Sequence, residues 1–192
     1  IDGPSSSPTQ QCQELDDTQT YIWDKLVPGQ YTVSQVSSAG WKTSISPATV
    51  TVQSNLTSDV TVENTVAKAS LSLSKEAVPS TIEAGQSVNF GFTLKHDDDS
   101  ETYVENVTVD DELCPAVTLT SGDSNNDDHL DLDEEWQFSC TASISADSVD
   151  SATAFADHPL GYLVVSNSPT TEVDVLPSVE LNKSVSPSSI LE

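Results

Sequence analysis

The stretch Asp123-Ser-Asn125-Asn-Asp127-Asp-His129-Leu-Asp131-Leu-Asp-Glu134 is where residue types and spacing in this chain point to a definite chemistry. Counted from Asp123, side-chain oxygens fall at positions 1, 3, 5, 9 and 12, namely Asp123, Asn125, Asp127, Asp131 and Glu134. Position 7 is His129, which would offer its backbone carbonyl. Alternate residues of a tight loop turn inward on one centre, and hard oxygen donors at this spacing suit Ca2+. Zinc would want imidazole or thiolate instead. Leu130 fills the apolar eighth position. Asp128 stands at position 6, where glycine normally makes the sharp turn, so the turn is expected to be strained. The flanks are strand-like, which predicts a calcium loop inside a β-connection rather than a helix-loop-helix sensor. Its role would be structural, tying the ends of the loop so that the flanking strands keep their register. The plainer reading is an acidic, solvated loop, but like charges at this density are costly without a counterion.

Cys114 and Cys140 bracket the loop, and Cys140 shares a face with Trp136 and Phe138. A disulfide between them would close 26 residues, worth about 3.5 kcal/mol in the chain-entropy account, and would imply an oxidising compartment. Two buried free thiols are the alternative. Cys12 has no obvious partner and pairs, if at all, with sequence outside this chain or with another molecule. The run His96-Asp-Asp-Asp99-Ser-Glu101 is either a weaker cation site or a solvated loop. No Ser/His/Asp set, phosphate-binding glycine loop or zinc spacing stands out. Paired carboxylates lie in exposed-looking loops, not beside apolar pockets that would tune them. Catalysis is not expected.

Charge narrows the partners. Thirty-one acidic residues face six lysines and no arginine, a formal net charge of −25. Such a chain repels nucleic acid and anionic lipid, which need clustered basic residues. Self-repulsion on this scale opposes compaction unless cations or salt offset it, so divalent metal, a salty habitat or both are expected. A merely solubilising acidic surface is the alternative. No run approaches the roughly 18 apolar residues of a membrane span, and no membrane insertion is expected. The start at Ile1, without any Met, reads as a removed signal peptide or an internal beginning. Glycosylation patterns at Asn55, Asn106 and Asn182 lend weak support to secretion.

The elements that must position these residues are strands. Residues 1–19 are polar and aperiodic and read as a linker or mobile arm. Over 20–66, Tyr21-Ile-Trp23, Tyr31-Thr-Val33, Val50-Thr-Val52 and Val60-Thr-Val62 alternate apolar and polar residues between turn signals. Residues 67–176 form a complete module. Val88, Phe90, Phe92 and Leu94 recur every second position, as do Val107 and Val109, Val117 and Leu119, the Trp136–Ile144 set, and Val173 and Val175. Tyr162-Leu-Val-Val165 is continuously apolar and suits a strand covered on both faces. With Leu71–Leu73 the count is seven or eight strands, the spacing of an immunoglobulin-like sandwich. The expected fold is all-β: tandem immunoglobulin-like β-sandwiches, the first one partial.

A period runs through the chain. Leu71-Ser-Leu-Ser-Lys75-Glu-Ala-Val-Pro79-Ser-Thr-Ile82 returns, shifted by 108 residues, as Val179-Glu-Leu-Asn-Lys183-Ser-Val-Ser-Pro187-Ser-Ser-Ile190. A fixed period of this length signals tandem modules. Residues 177–192 are then the first strand of a next repeat or a strand donated to another molecule, with Val179, Leu181 and Val185 as its inward positions.

Two resemblances add to this reading. Leu26-Val-Pro28-Gly29-Gln-Tyr31-Thr-Val33, Ala39-Gly40-Trp41 and Val60-Thr-Val-Glu-Asn64 together resemble the C-terminal part of a collagen-adhesin B-type domain, a stalk module of microbial surface proteins. There Gly29 would take a left-handed turn position before an inward Tyr31. Lys75, Pro79, Ala84-Gly85-Gln86-Ser-Val88, Val107-Thr-Val-Asp110, Cys114-Pro115, Ser121-Gly-Asp123, Asp131, Glu134-Glu-Trp136 and Cys140 resemble the conserved Ig-like repeat of long bacterial and archaeal surface proteins. That likeness spans nearly the whole period and implies extracellular repeat arrays without catalysis. The expected function is a structural module of an extracellular stalk, surface layer or filament, stiffened by Ca2+ and a disulfide. Its partners would be copies of itself or neighbouring domains of one long chain. The alternative is an adhesion module that binds a glycan or host protein through its loops.

Overall fold

The computed structural model describes residues 1–4, 14–16 and 18–184, and Cys12 and Val185 lie outside the described residues. Among the described residues there are fourteen strands and no helix, so the chain is all-β. Among these residues no helix is long and apolar enough to cross a membrane. The chain divides into two compact units, Ile1–Lys68 and Ala69–Glu192.

The first unit holds β1 (Gly29–Thr32), β2 (Trp41–Ser46), β3 (Thr49–Val52) and β4 (Thr61–Val66). β1 pairs β3 and β2 pairs β4, both antiparallel, as two separate two-stranded sheets. Its buried apolar side chains are Tyr31, Val33 and Ala67, while every residue of β4 is exposed. The supposed free arm is anchored where it begins. Asp2 exchanges two backbone hydrogen bonds with Thr32, at 2.9 and 2.8 Å. Gly3 lies flat on the Tyr31 ring, where an added Cβ would sit 2.2 Å from Cδ1. Gly29 has a positive φ of 158°, a conformation that residues with a Cβ rarely adopt. Glycine is needed there because a Cβ would stand 2.6 Å from Pro4 Cγ.

The second unit packs two sheets face to face. One sheet has the order β5 (Leu71–Val78), β7 (Gln86–His96), β11 (Glu135–Ile144), β9 (Thr118–Ser121). The other runs β10 (His129–Leu130), β8 (Val104–Asp111), β12 (Ser148–Asp157), β14 (Thr170–Leu176), β6 (Thr81–Glu83), with β13 (Leu163–Val165) also on β12. All pairs are antiparallel except β14 with β6. Side chains two apart along a strand share a face. β7 accordingly buries Val88, Phe90, Phe92 and Leu94, and β11 buries Trp136, Phe138 and Ile144. The opposite sheet contributes Val104, Val109, Val173 and the small side chains Ala152, Ala154 and Ala156. This β-sandwich core is contiguous.

Residues 162–165 depart from expectation. Only Val164 is buried; Tyr162, Leu163 and Val165 are exposed. β13 is three residues long and pairs β12 alone, so one face and one edge stay open to solvent.

A bulge sets the phase of β8. Asn106 has a φ of 53°, and the β12–β8 register shifts between Phe155 and Asp157 opposite it. An inserted residue of this kind re-aims everything that follows. Val107, Val109 and Asp111 therefore face inward, while Asn106 turns its amide to Asp157 at 3.0 Å.

Candidate functional site

The segment 122–134 does more than connect neighbouring strands. It leaves β9 in one sheet, enters β10 in the other, and returns to the first as β11. Gly122 makes the departure possible: at a φ of 123° its Cα lies so near β11 that a Cβ would sit 2.4 Å from the Glu135 carbonyl oxygen. Leu130, the apolar eighth position, is fully buried and pairs with Val104, which fastens the loop into the core. His96 Nε2 lies 2.9 Å from the Leu130 carbonyl, a second tie between the sheets. The loop's function is thus to bridge two sheets, where the sequence suggested only the two ends of one connection.

The polar residues of the loop are organised around one another. Asp123 accepts the backbone N–H groups of Asp127 and Asp128, both at 3.2 Å. Asp127 accepts the His129 N–H at 2.9 Å. The Asn125 amide nitrogen stands between Asp127 and Asp131, 3.0 Å from each carboxylate. Asp128 takes the left-handed conformation at a φ of 62°, supplying with Asp the turn that glycine usually makes. His129 stacks on Tyr103 at 4.4 Å, with Glu105 and Asp127 carboxylates 3.5 and 3.6 Å from its ring nitrogens. Burial pushes the Asp131 carboxyl above its usual range, with Asp127, Glu134 and Asp133 adding to the push and Asn125 opposing it.

Glu134 has a different place from the other five. It is buried, and both its oxygens are saturated by protein donors. Oε1 accepts the Ser124 N–H and hydroxyl, each at 2.7 Å. Oε2 accepts the Trp136 indole N–H at 3.0 Å and the Asp131 N–H at 3.3 Å. Burial alone would raise its carboxyl, but the Ser124, Trp136 and Asp131 hydrogen bonds outweigh it and hold the group at about 2. Glu134 is the latch that closes the loop. Among the described residues, no three His, Cys, Asp or Glu side chains stand as a ready metal-holding group. Asp123, Asn125, Asp127 and Asp131 are gathered in one loop, but the Asn125 amide nitrogen occupies the gap between two of the carboxylates.

Cys114 and Cys140 form a disulfide, with Cα atoms 6.0 Å apart and a sequence separation of 26. It joins the segment after β8 to β11, and so links the sheets beside the loop. The 96–101 run is clamped rather than free: Asp97 and Ser100 bond to the Ser70 carbonyl, and the Ser70 hydroxyl donates to Asp99.

One cluster escaped the sequence reading. Lys75 on β5 reaches between the sheets to Asp111 at the end of β8, 2.6 Å away, and to Asp150 on β12, which is nearer still. The three side chains are 0–2% exposed, and Lys75 Nζ lies 4.8 Å from the Phe90 ring centre and 5.6 Å from that of Phe92. The signal was in the phase of the strands. Lys75 stands two and four residues after the inward Leu73 and Leu71, and Asp150 two before the inward Ala152. Burial pushes the Asp111 carboxyl up, against the pull of Lys75, and Asp150 adds to the push. No family model matches this chain, and no curated protein matches it.

Proposed function

We propose that this chain is a structural module of an extracellular repeat protein, in which Ca2+ and the Cys114–Cys140 disulfide stiffen a β-sandwich that works in series with others. The observation that carries the reading is the 122–134 loop, an acidic strap that crosses from one sheet to the other and back. A cation held there would fix the two sheets relative to each other. Asp123, Asn125, Asp127 and Asp131 are its ligands, after the Asn125 amide turns to offer its oxygen in place of its nitrogen. His129 contributes through its carbonyl, and Glu134 braces the loop from behind. The elevated Asp131 carboxyl and the net charge of −25 both favour a bound cation. The likeness of residues 67–176 to the Ig-like surface repeat, and of 20–66 to a collagen-adhesin B-type domain, supports the same reading.

Thermal melts test it. Calcium in roughly hundredfold excess over its Kd adds about 2.7 kcal/mol, a rise in Tm on the order of 10 °C for a unit of this size. Chelator reverses the rise. Identical curves with Ca2+ and with chelator overturn the metal reading.

Assembly by strand donation belongs to the same proposal. Beyond β14 the chain carries Val179 and Leu181, 91% and 90% exposed and two residues apart. An extended segment with one apolar edge is suited to adding a strand to a neighbouring sheet. Deleting residues 178–192 should abolish polymer formation; polymers that survive the deletion, seen by electron microscopy, rule donation out. The adhesion reading draws on one observation, the edge-to-face pair of Tyr21 and Trp23 in the first unit, with centroids 5.2 Å apart and Tyr21 exposed. Such a pair suits a sugar face.

A further inference from the structure

We propose that Lys75 and Asp150 condense to an intramolecular amide that joins the two sheets of the second unit, with Asp111 as the proton shuttle.

The geometry is that of a closed reaction site. An amine and two carboxyls are in mutual reach, shielded from water and faced by the Phe90 and Phe92 rings. The strands hold them rigidly. β5 lies in one sheet, while β8 and β12 are neighbours in the other, with Asp111 opposite Ala152 and Asp150 two residues farther along the same face. Asp111 is oriented by the Cys114 N–H, which donates to its second oxygen at 3.0 Å. Proximity held in this way replaces the entropy that a free amine and acid would lose on meeting. The neutral amine and the neutral acid are the forms that react, and a dry site disfavours charged forms in general. An ordinary buried ion pair needs no second carboxyl. Here the second one touches the amine, and its carboxyl is pushed up by burial as a proton donor requires.

The proton balance closes. The starting cluster, ammonium, Asp150 carboxylate and Asp111 carboxylic acid, is isomeric with neutral amine and two carboxylic acids. The Lys75 nitrogen lone pair attacks the Asp150 carboxyl carbon, while Asp111 gives its proton to the carbonyl oxygen. Asp111 then takes a proton from the nitrogen and returns it to a hydroxyl on the tetrahedral carbon. The carbon–oxygen bond breaks and one water leaves. The resulting amide is deprotonated on oxygen by Asp111, which ends as it began. Nothing is oxidised or reduced.

Intact-mass spectrometry of the full chain, reduced and denatured, tests this directly. The expected mass lies below the sequence mass by one water, and digestion yields a branched peptide joining Lys75 to Asp150. Lys75→Met and Asp111→Asn should both show the full mass. Asp150→Asn should still close the bond, now with loss of ammonia, because a carboxamide remains an acyl donor while a shuttle must carry a proton. A wild-type chain at full sequence mass overturns the proposal without reference to any variant's folding. Bond formation in Asp111→Asn, or a branch from Lys75 to Asp111, overturns the assigned roles. The readout is independent of calcium and of assembly, so it stands or falls apart from the proposed function.

Discussion

Replacing Glu134 with alanine should cost the second unit about 4 kcal/mol, since hydrogen bonds to a charged acceptor are each worth about 1.5–3 kcal/mol and are not additive. Two backbone N–H groups, the Ser124 hydroxyl and the buried Trp136 indole would all lose their acceptor. The effect has a pH signature. The folded carboxyl titrates at about 2 against an ordinary 4.5. A depressed carboxyl stabilises the fold above its unfolded value and loses that contribution as pH falls toward the folded one. The difference corresponds to about 3 kcal/mol, so wild-type stability should fall steeply between pH 4.5 and 2. Glu134→Gln should flatten that part of the curve. Denaturant unfolding across this range checks it, and superimposable acid limbs for the Glu134→Gln variant and the wild-type chain would show that the latch carries no such weight.

Lys75→Met should be the other severe change. It leaves the Asp111 and Asp150 carboxyls facing each other in the core with no cation between them. The variant forfeits the proposed Lys75–Asp150 bond and leaves buried carboxylate charge uncompensated, at a cost of about 3–5 kcal/mol. Two carboxyls left buried side by side without a cation disfavour the charged forms, so they favour the fold only while protonated. The penalty should therefore be larger at neutral pH than in mild acid, where the variant regains stability as these carboxyls take up protons. Chemical denaturation at both pH values checks it. Equal losses at both would mean that solvent reaches the cluster.

How far the sequence carried can be judged strand by strand. β7 and β11 were legible because their inward positions are large and apolar, and an alternation of Phe or Trp with polar residues admits one reading. β12 was not: its inward face is Asp150, Ala152, Ala154 and Ala156, while Val149 points outward at 70% exposure. Small residues facing a wide opposite sheet carry little hydrophobic contrast. β13 misled in the other direction, since the four-residue apolar run Tyr162–Val165 satisfied a rule about buried strands at an open edge. The loop was read from ligand types, which local spacing reveals. That Glu134 would serve four donors instead depends on where Ser124 and Trp136 come to rest, and only the fold determines that. The Lys75 cluster demanded phase counting along two strands 75 residues apart in sequence, together with a bulge at Asn106 that no pattern announced.

The one parallel pairing has a mechanical consequence. Near the entrance of the second unit lies β6, and at its exit lies β14, side by side and pointing the same way. Tension drawn through the two ends would slide these strands lengthwise past each other. Their rungs would then bear the load together instead of parting one at a time, which raises the barrier that governs forced rupture.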